Sequence, residues 1–148
     1  MMPVEDRKKR ILIVEDERLI ALNVLGKLGH LGYPSAAIAS SGEEALSLAR
    51  SRSTRFDLVL MDIRLEGELD GIATAQMLRD ELQTPVVYMT ALSDPETLCR
   101  AEATGPYGYL CQPVSEGDLK RAIEVALSDY ALERERLGQQ LKSNAMHA

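Results

Sequence analysis

Short apolar runs alternate with amphipathic stretches along most of the chain, and this alternation constrains the fold more than any other feature. The runs have the length of β-strands. Three of them are nearly continuous in Ile, Leu, Val and Met, as in strands that are covered on both faces of a parallel sheet. We predict five strands: Ile11–Val14, Ser35–Ala39, Leu58–Met61, Val86–Met89 and Tyr107–Cys111.

The segments between the strands carry the signals of helix starts. Ser41 is followed three residues later by Glu44, the spacing of a capping box. Asp94 is followed by Pro95, a cap residue with proline at the first helical position. Ser115 can cap a last helix that starts directly after it. Apolar stripes at helical spacing follow the first and third strands: Ile20, Val24, Leu25 and Leu28, then Ala73, Met77 and Leu78. A predicted helix therefore follows each predicted strand.

A βαβα series predicts an α/β fold with a parallel sheet and helices on both faces. Right-handed crossovers leave few arrangements, and the common one for five strands is the flavodoxin-like order 2-1-3-4-5. We therefore predict a doubly wound (βα)5 sandwich with an extended C-terminal helix. In this order the first and third strands are neighbours, and a site is expected at their carboxyl ends.

Acidic side chains stand at those two strand ends. Glu15 and Asp16 follow the first strand, Asp62 follows the third, and Thr90 follows the fourth. Glu15 and Asp16 taken alone are explained equally well by helix capping. Three carboxylates that meet repel one another unless a cation joins them, and hard oxygen ligands in this number suit magnesium. The combined pattern favours a functional metal site.

Length, charge and cysteine content exclude several other classes. A chain of 148 residues fits one domain with a tail, and its net charge of −6 argues against nucleic-acid binding by bulk electrostatics. The basic run Arg7–Arg10 is interpreted as a solvated N-terminal arm. Cys99 and Cys111 lack metal-ligand spacing and are expected to be reduced thiols. No signal peptide or membrane span is recognisable, so we expect a cytoplasmic protein.

Five sequence motifs occur in order between about Arg10 and Leu132: Ile11–Glu17, Leu58–Ile63, Asp70-Gly71, Met89–Ala91 and Gly108–Pro113. With these motifs the sequence resembles the receiver domains of two-component response regulators, of the type often found with sensor histidine kinases. The resemblance implies a domain that accepts a phosphoryl group from a histidine kinase or phosphotransfer protein and needs Mg²⁺ or Mn²⁺.

The resemblance also implies a role for each residue of the site. Asp62 would be the phosphoryl acceptor, attacking phosphorus as a nucleophilic carboxylate. Asp16 and Asp62 would ligate the metal directly, together with the backbone carbonyl of Arg64, and Glu15 would act through a water molecule. The Thr90 hydroxyl would contact the phosphoryl group.

Two further roles complete the site that the resemblance implies. The backbone N–H of Ala91 would assist Thr90. Tyr109 would be the switch, rotating inward when Thr90 moves and thereby reshaping the surface formed by the fourth helix, fifth strand and fifth helix. The alternative for Tyr109 is an aromatic residue on an edge strand that packs against the core.

The sequence departs from the family pattern at Gln112, where the family has lysine before Pro113. Glutamine supplies only neutral donors, and charge-assisted hydrogen bonds are stronger. We therefore expect an intact metal site but a phosphorylated state that forms slowly or signals weakly. Arg64 could supply part of the missing charge or be a solvated loop arginine. By resemblance, the peptide before Pro113 is expected to be cis.

The last predicted helix continues beyond the length of a receiver domain. Its apolar residues follow heptad spacing, with Arg134 at one position of the stripe: Ile123, Leu127, Tyr130, Leu137 and Leu141. This pattern is explained equally well by a homodimer through the last helix and by a helix whose first half packs on the sheet while its second half frays. We expect an arm over 1–9, a receiver over 10–132 and a helical extension with a tail over 133–148.

Two rival functions remain beside the phosphorylated receiver. The first is a docking or dimerisation module that works without phosphorylation, in which the loss of lysine marks a retired switch. The second is a small hydrolase on the same fold. His30 and His147 lie far from the strand ends and no glycine-rich phosphate loop follows the first strand, which argues against the hydrolase.

Overall fold

A computed structural model describes residues 9–51, 53, 55–91 and 94–146 and contains the predicted series of alternating strands and helices. Most of the N-terminal arm lies outside the described residues. The strands are β1 (Ile11–Val14), β2 (Ala36–Ala39), β3 (Leu58–Asp62), β4 (Val86–Thr90) and β5 (Gly108–Cys111). The helices are α1 (Arg18–Leu31), α2 (Gly42–Arg50), α3 (Gly71–Leu82), α4 (Pro95–Glu102) and α5 (Glu116–Met146).

All strand pairs are parallel, and the sheet order is β2-β1-β3-β4-β5, which confirms the predicted flavodoxin-like topology. β3 and β4 each run one residue further than predicted, to Asp62 and Thr90. Backbone hydrogen bonding between the strands continues past the end of β3, where the Ile63 N–H donates to the Met89 carbonyl at 3.1 Å. The backbone of Asp62 and Thr90, which follow the apolar runs, therefore belongs to the sheet.

Alternation along the buried strands divides the interior into two cores. Leu12 and Val14 of β1 belong to the core on the face covered by α2 and α3, whereas Ile11 and Ile13 belong to the core beneath α1 and α5. All four side chains are fully buried. Because both faces of the sheet are covered, the strands lack the polar alternation of a sheet with one wet face.

The predicted helix caps form. The Ser41 hydroxyl accepts from the Glu44 N–H at 3.1 Å, and the Ser115 hydroxyl accepts from the Asp118 N–H at 3.1 Å. Asp94 accepts from the Thr97 N–H at the start of α4. The Glu44 carboxylate accepts from the Ser40 hydroxyl at 3.1 Å.

The last helix, α5, has 31 residues and projects beyond the sheet. Ile123 is fully buried, Leu127 and Tyr130 are half-buried, and Leu137 and Leu141 are 45% and 68% exposed. One stripe therefore packs on the domain along the first half of the helix and faces solvent along the second. In the described part of the chain, no helix is long and apolar enough to cross a membrane.

The cap of α2 gives a direct test of local stability. Ser41→Ala removes the acceptor for the Glu44 N–H and is expected to lower the free energy of unfolding by about 1 kcal/mol. Ser47→Ala, at an exposed position inside the same helix, is the control and is expected to be neutral or slightly stabilising. Urea denaturation of the two variants measures the difference, and equal stabilities would contradict the capping role.

Candidate functional site

Three carboxylates meet at the carboxyl ends of β1 and β3. One oxygen each from Glu15, Asp16 and Asp62 lies within 4.8 Å of the other two. The sheet register causes this convergence, since Val14 of β1 pairs with Met61 of β3 and the acids follow directly. The predicted cluster is therefore present.

Glu15 is the most buried member of the cluster, with only 3% of its surface exposed. Its Oε2 atom is buried without a hydrogen-bond partner. Burial, then the adjoining Asp62 carboxylate and the charge of Asp16, raise the pKa of Glu15 to about 9. An anionic carboxylate in such a place needs a positive partner.

The loop between β3 and α3 supplies backbone donors to the other two acids. The Arg64 N–H donates to Asp62 Oδ1 at 3.0 Å, and the Glu66 N–H donates to Asp16 Oδ2 at 3.3 Å. Two neutral donors offset only part of the repulsion that three ionised carboxylates would exert on one another. The loop therefore orients the carboxylates but does not neutralise them.

The donor set fits a hard divalent cation. Carboxylate oxygens from three residues, one with a buried oxygen that lacks a partner, are the ligands that Mg²⁺ and Mn²⁺ prefer, and such ions keep part of their water shell. Asp16 is partly exposed, so water can reach this side of the cluster. We identify the cluster as a candidate metal centre.

Thr90 ends β4, the strand next to β3, and Gln112 directly follows β5, the strand beyond β4. Thr90 is 7% exposed, and its carbonyl accepts from the Gln112 N–H at 2.9 Å. The Gln112 Nε2 atom is buried without a hydrogen-bond partner. The Gln112–Pro113 peptide is cis, as expected. Ala91 follows Thr90 at an exposed position.

Tyr109 lies outward on the edge strand β5, with 38% of its surface exposed. Its hydroxyl donates to Glu102 Oε2 of α4 at 2.6 Å, and its ring stacks on Tyr88 with centroids 5.9 Å apart. These contacts tie β5 to α4. The switch role of Tyr109 stays a prediction.

The Arg64 side chain is exposed, whereas its backbone N–H contacts Asp62. Hydrogen bonds from Thr97 are the main cause of the lowered pKa of Asp94, and the charge of Arg64 adds to the effect. A role of the guanidinium in replacing the charge missing at Gln112 stays a prediction.

The motif Asp70-Gly71 has structural functions that the sequence did not reveal. The Asp70 carboxylate accepts from the Ala73 N–H at 2.8 Å and caps α3. It also pairs with Arg100 of α4 at 3.2 Å, a contact between partly exposed groups. An aspartate directly before a helix is a recognisable cap signal, whereas its partner on α4 is visible only in three dimensions.

Comparison with known proteins places these observations in a family. Residues 11–124 match the family model described as "Response regulator receiver domain". The transcriptional regulatory protein PdtaR of Mycobacterium tuberculosis is 37% identical over 122 residues, which are 82% of this chain and 58% of PdtaR. The transcriptional regulatory protein ZraR of Escherichia coli is 38% identical over 119 residues, 80% of this chain and 26% of ZraR. The chain thus spans little more than half, or less, of these relatives.

A solved receiver domain agrees with this assignment, and a coiled-coil fusion has a similar fold. The signal receiver domain of a modulated diguanylate cyclase from Desulfovibrio desulfuricans is 40% identical, with a TM-score of 0.78 over 84% of this chain and 97% of that one. A yeast Spc42 trimeric coiled coil fused to another structure is 30% identical, with a TM-score of 0.79 over 95% of this chain and 96% of that one. Together with the acid cluster at the ends of β1 and β3, the family match shows that this chain belongs to the response-regulator receiver family.

Proposed function

We propose that the chain is a Mg²⁺-dependent receiver that accepts a phosphoryl group on Asp62 from a histidine kinase or phosphotransfer protein in the cytoplasm. The observation that carries the proposal is the convergence of Glu15, Asp16 and Asp62 within 4.8 Å. Asp62 is the member at the end of a central strand, where the ladder holds its backbone. The receiver is proposed to span residues 10–132.

Phosphoryl transfer on this site would form one bond and break another. An Asp62 carboxylate oxygen attacks phosphorus in line, and the bond between phosphorus and the donor breaks, so that the donor leaves with its electron pair. Asp16, Asp62 and the Arg64 carbonyl would hold the metal directly, with Glu15 acting through water. When bound, the cation supplies positive charge that offsets repulsion between the incoming anions.

We propose that Thr90 and Tyr109 convert the charge on Asp62 into a surface change. The Thr90 hydroxyl and the Ala91 N–H would donate to phosphoryl oxygens. Tyr109 now contacts Glu102 and Tyr88 from its outward position. An inward rotation of its ring would break the contact with α4 and alter the surface formed by α4, β5 and α5.

The proposal predicts a magnesium-dependent covalent modification. Incubation with a small phosphodonor such as acetyl phosphate and Mg²⁺ is expected to add the mass of one phosphoryl group, read by intact mass spectrometry. Asp62→Asn is expected to abolish the gain, because the amide is a poor nucleophile. Asp57→Asn, at an acid that instead accepts from the Arg10 N–H, is the matched control and should be modified normally.

The rival function, a docking module that works without phosphorylation, makes the opposite prediction. If the chain is such a module, we expect the wild-type protein to show no mass gain with any phosphodonor. Its Mg²⁺ affinity, measured by titration, should be retained. A mass gain that survives in Asp62→Asn would instead place the modification elsewhere and contradict the assignment of the acceptor.

We propose that Gln112 weakens the phosphorylated state. Its Nε2 group is buried without a partner, so it has a donor to offer but no full charge. Gln112→Lys is expected to strengthen binding of a phosphoryl analogue such as beryllofluoride by about tenfold, corresponding to about 1.4 kcal/mol. Titration in Mg²⁺ measures this effect. Equal affinity and equal structural response in wild type and variant would refute the proposed role.

We also propose that α5 mediates a homodimer. Leu137 and Leu141 continue the heptad stripe into solvent. The match to the coiled-coil fusion covers 95% of this chain and thus reaches into the extension, which supports association through α5 but not a particular number of copies. That protein is trimeric by its description, so the number of copies is the quantity to measure.

Paired substitutions on α5 test the dimer. Leu137→Lys with Leu141→Lys is expected to give a monomer in sedimentation velocity, because charges would replace the apolar contact. Leu132→Lys is the control, since Leu132 is 51% exposed but lies on the opposite side of the same helix. A wild-type protein that is monomeric at high concentration would count against the proposal.

A further inference from the structure

Gly71, the first residue of α3, lies against Asp62, the last residue of β3, after which the loop between β3 and α3 begins. A Cβ atom added at Gly71 would stand 1.9 Å from the carbonyl oxygen of Asp62 and 2.9 Å from its carbonyl carbon. It would also stand 3.1 Å from the Cα of Ile63. All three contacts are to backbone, so rotation of a side chain cannot relieve them.

The peptide group between Asp62 and Ile63 cannot rotate away from residue 71 without a cost in free energy. The carbonyl of Asp62 belongs to the same peptide unit as the N–H of Ile63, which donates to the Met89 carbonyl of β4 at 3.1 Å. A rotation that moved the carbonyl away from residue 71 would break this ladder bond. Burial of the strand makes an unsatisfied N–H there costly.

The helix side of the contact is held equally firmly. Asp70 accepts from the Ala73 N–H through its side chain at 2.8 Å and from the Thr74 N–H through its carbonyl at 3.0 Å. The Arg100 guanidinium adds a second contact to the Asp70 carboxylate. The start of α3 therefore cannot retreat without losing its cap.

The loop between these fixed ends carries the donors to the acid cluster. The Arg64 N–H reaches Asp62 and the Glu66 N–H reaches Asp16. The loop leaves at Asp62 and returns to van der Waals contact with the same residue, so its shape depends on how closely residue 71 can approach.

We propose that Gly71 is a positioning residue for the acid cluster. Its missing side chain lets the loop close on the Asp62 peptide, and this closure sets the directions of the Asp62 and Asp16 carboxylates. The inference deepens the proposed function, because the carboxylates concerned are those assigned to the metal.

Gly71→Ala tests the proposal with two readouts. Helix propensity alone would favour alanine at this position, so a loss must come from the contact with Asp62. Mg²⁺ affinity, followed by isothermal titration calorimetry, is expected to fall about tenfold or more, the effect typical of removing support around a metal ligand. In metal-free protein, the Arg64 and Glu66 amides are expected to exchange faster with deuterium.

Two control variants separate positioning from stability. Gly26→Ala changes an exposed glycine inside α1, where an added Cβ meets nothing within 4 Å, and should keep the wild-type affinity. Ile123→Val weakens the core beneath α5, away from the loop, and should lower stability without changing metal affinity or the two amides.

The measured affinities and exchange rates test whether Gly71 positions the acid cluster. Unchanged affinity and unchanged exchange in Gly71→Ala would overturn the inference while leaving the proposed function standing. Reduced affinity in Ile123→Val of the same size would also overturn it, because stability alone would then explain the loss. If the wild type bound no metal, the proposed function would fail, and amide exchange would still decide whether Gly71 holds the loop.

Discussion

The repulsion among three carboxylates at one edge of the sheet is the constraint on which the site depends. Glu15, Asp16 and Asp62 come from two adjacent strands, and the backbone ladder keeps them within 4.8 Å. A chain free to move would separate them. The two buried cores make the ladder rigid, so apolar burial on both faces supplies the free energy that holds the charges together.

The surroundings of the cluster soften this repulsion without removing it. Backbone N–H groups of the loop after β3 donate to Asp62 and Asp16, whereas the Oε2 atom of Glu15 has no partner. A positive charge bound at this site would therefore be stabilised by the surrounding carboxylates. The proposed cation binding and the proposed phosphoryl transfer would thus depend on one electrostatic feature, since a cation would relieve the repulsion and a phosphoryl group would add to it.

The elements around the site are linked through its flanking residues. Asp70 caps α3 and pairs with Arg100 of α4, and Tyr109 of β5 contacts Glu102 of the same helix. α4 therefore receives contacts from the loop beside the acids and from the edge strand. A change at either place reaches the same helix, which gives the proposed switching surface a physical basis.

The fold was accessible from the sequence because apolar runs and helix caps are local signals. The strand positions and three caps follow from residues that are close together in the chain, such as Ser41 with Glu44. The acid cluster was also accessible, since the strand order brings Glu15 and Asp62 together once the topology is known. The extended helix followed from its continuing heptad stripe.

Contacts between residues that are far apart in the sequence were determined only by the tertiary structure. Gly71 is one glycine among ten in the sequence, and its contact with the Asp62 carbonyl exists only because a loop returns to its origin. The outward position of Tyr109 and the buried, unpartnered amide of Gln112 likewise depend on packing. Periodicity records which face of an element is apolar, whereas the distance between two backbones is set by the whole fold.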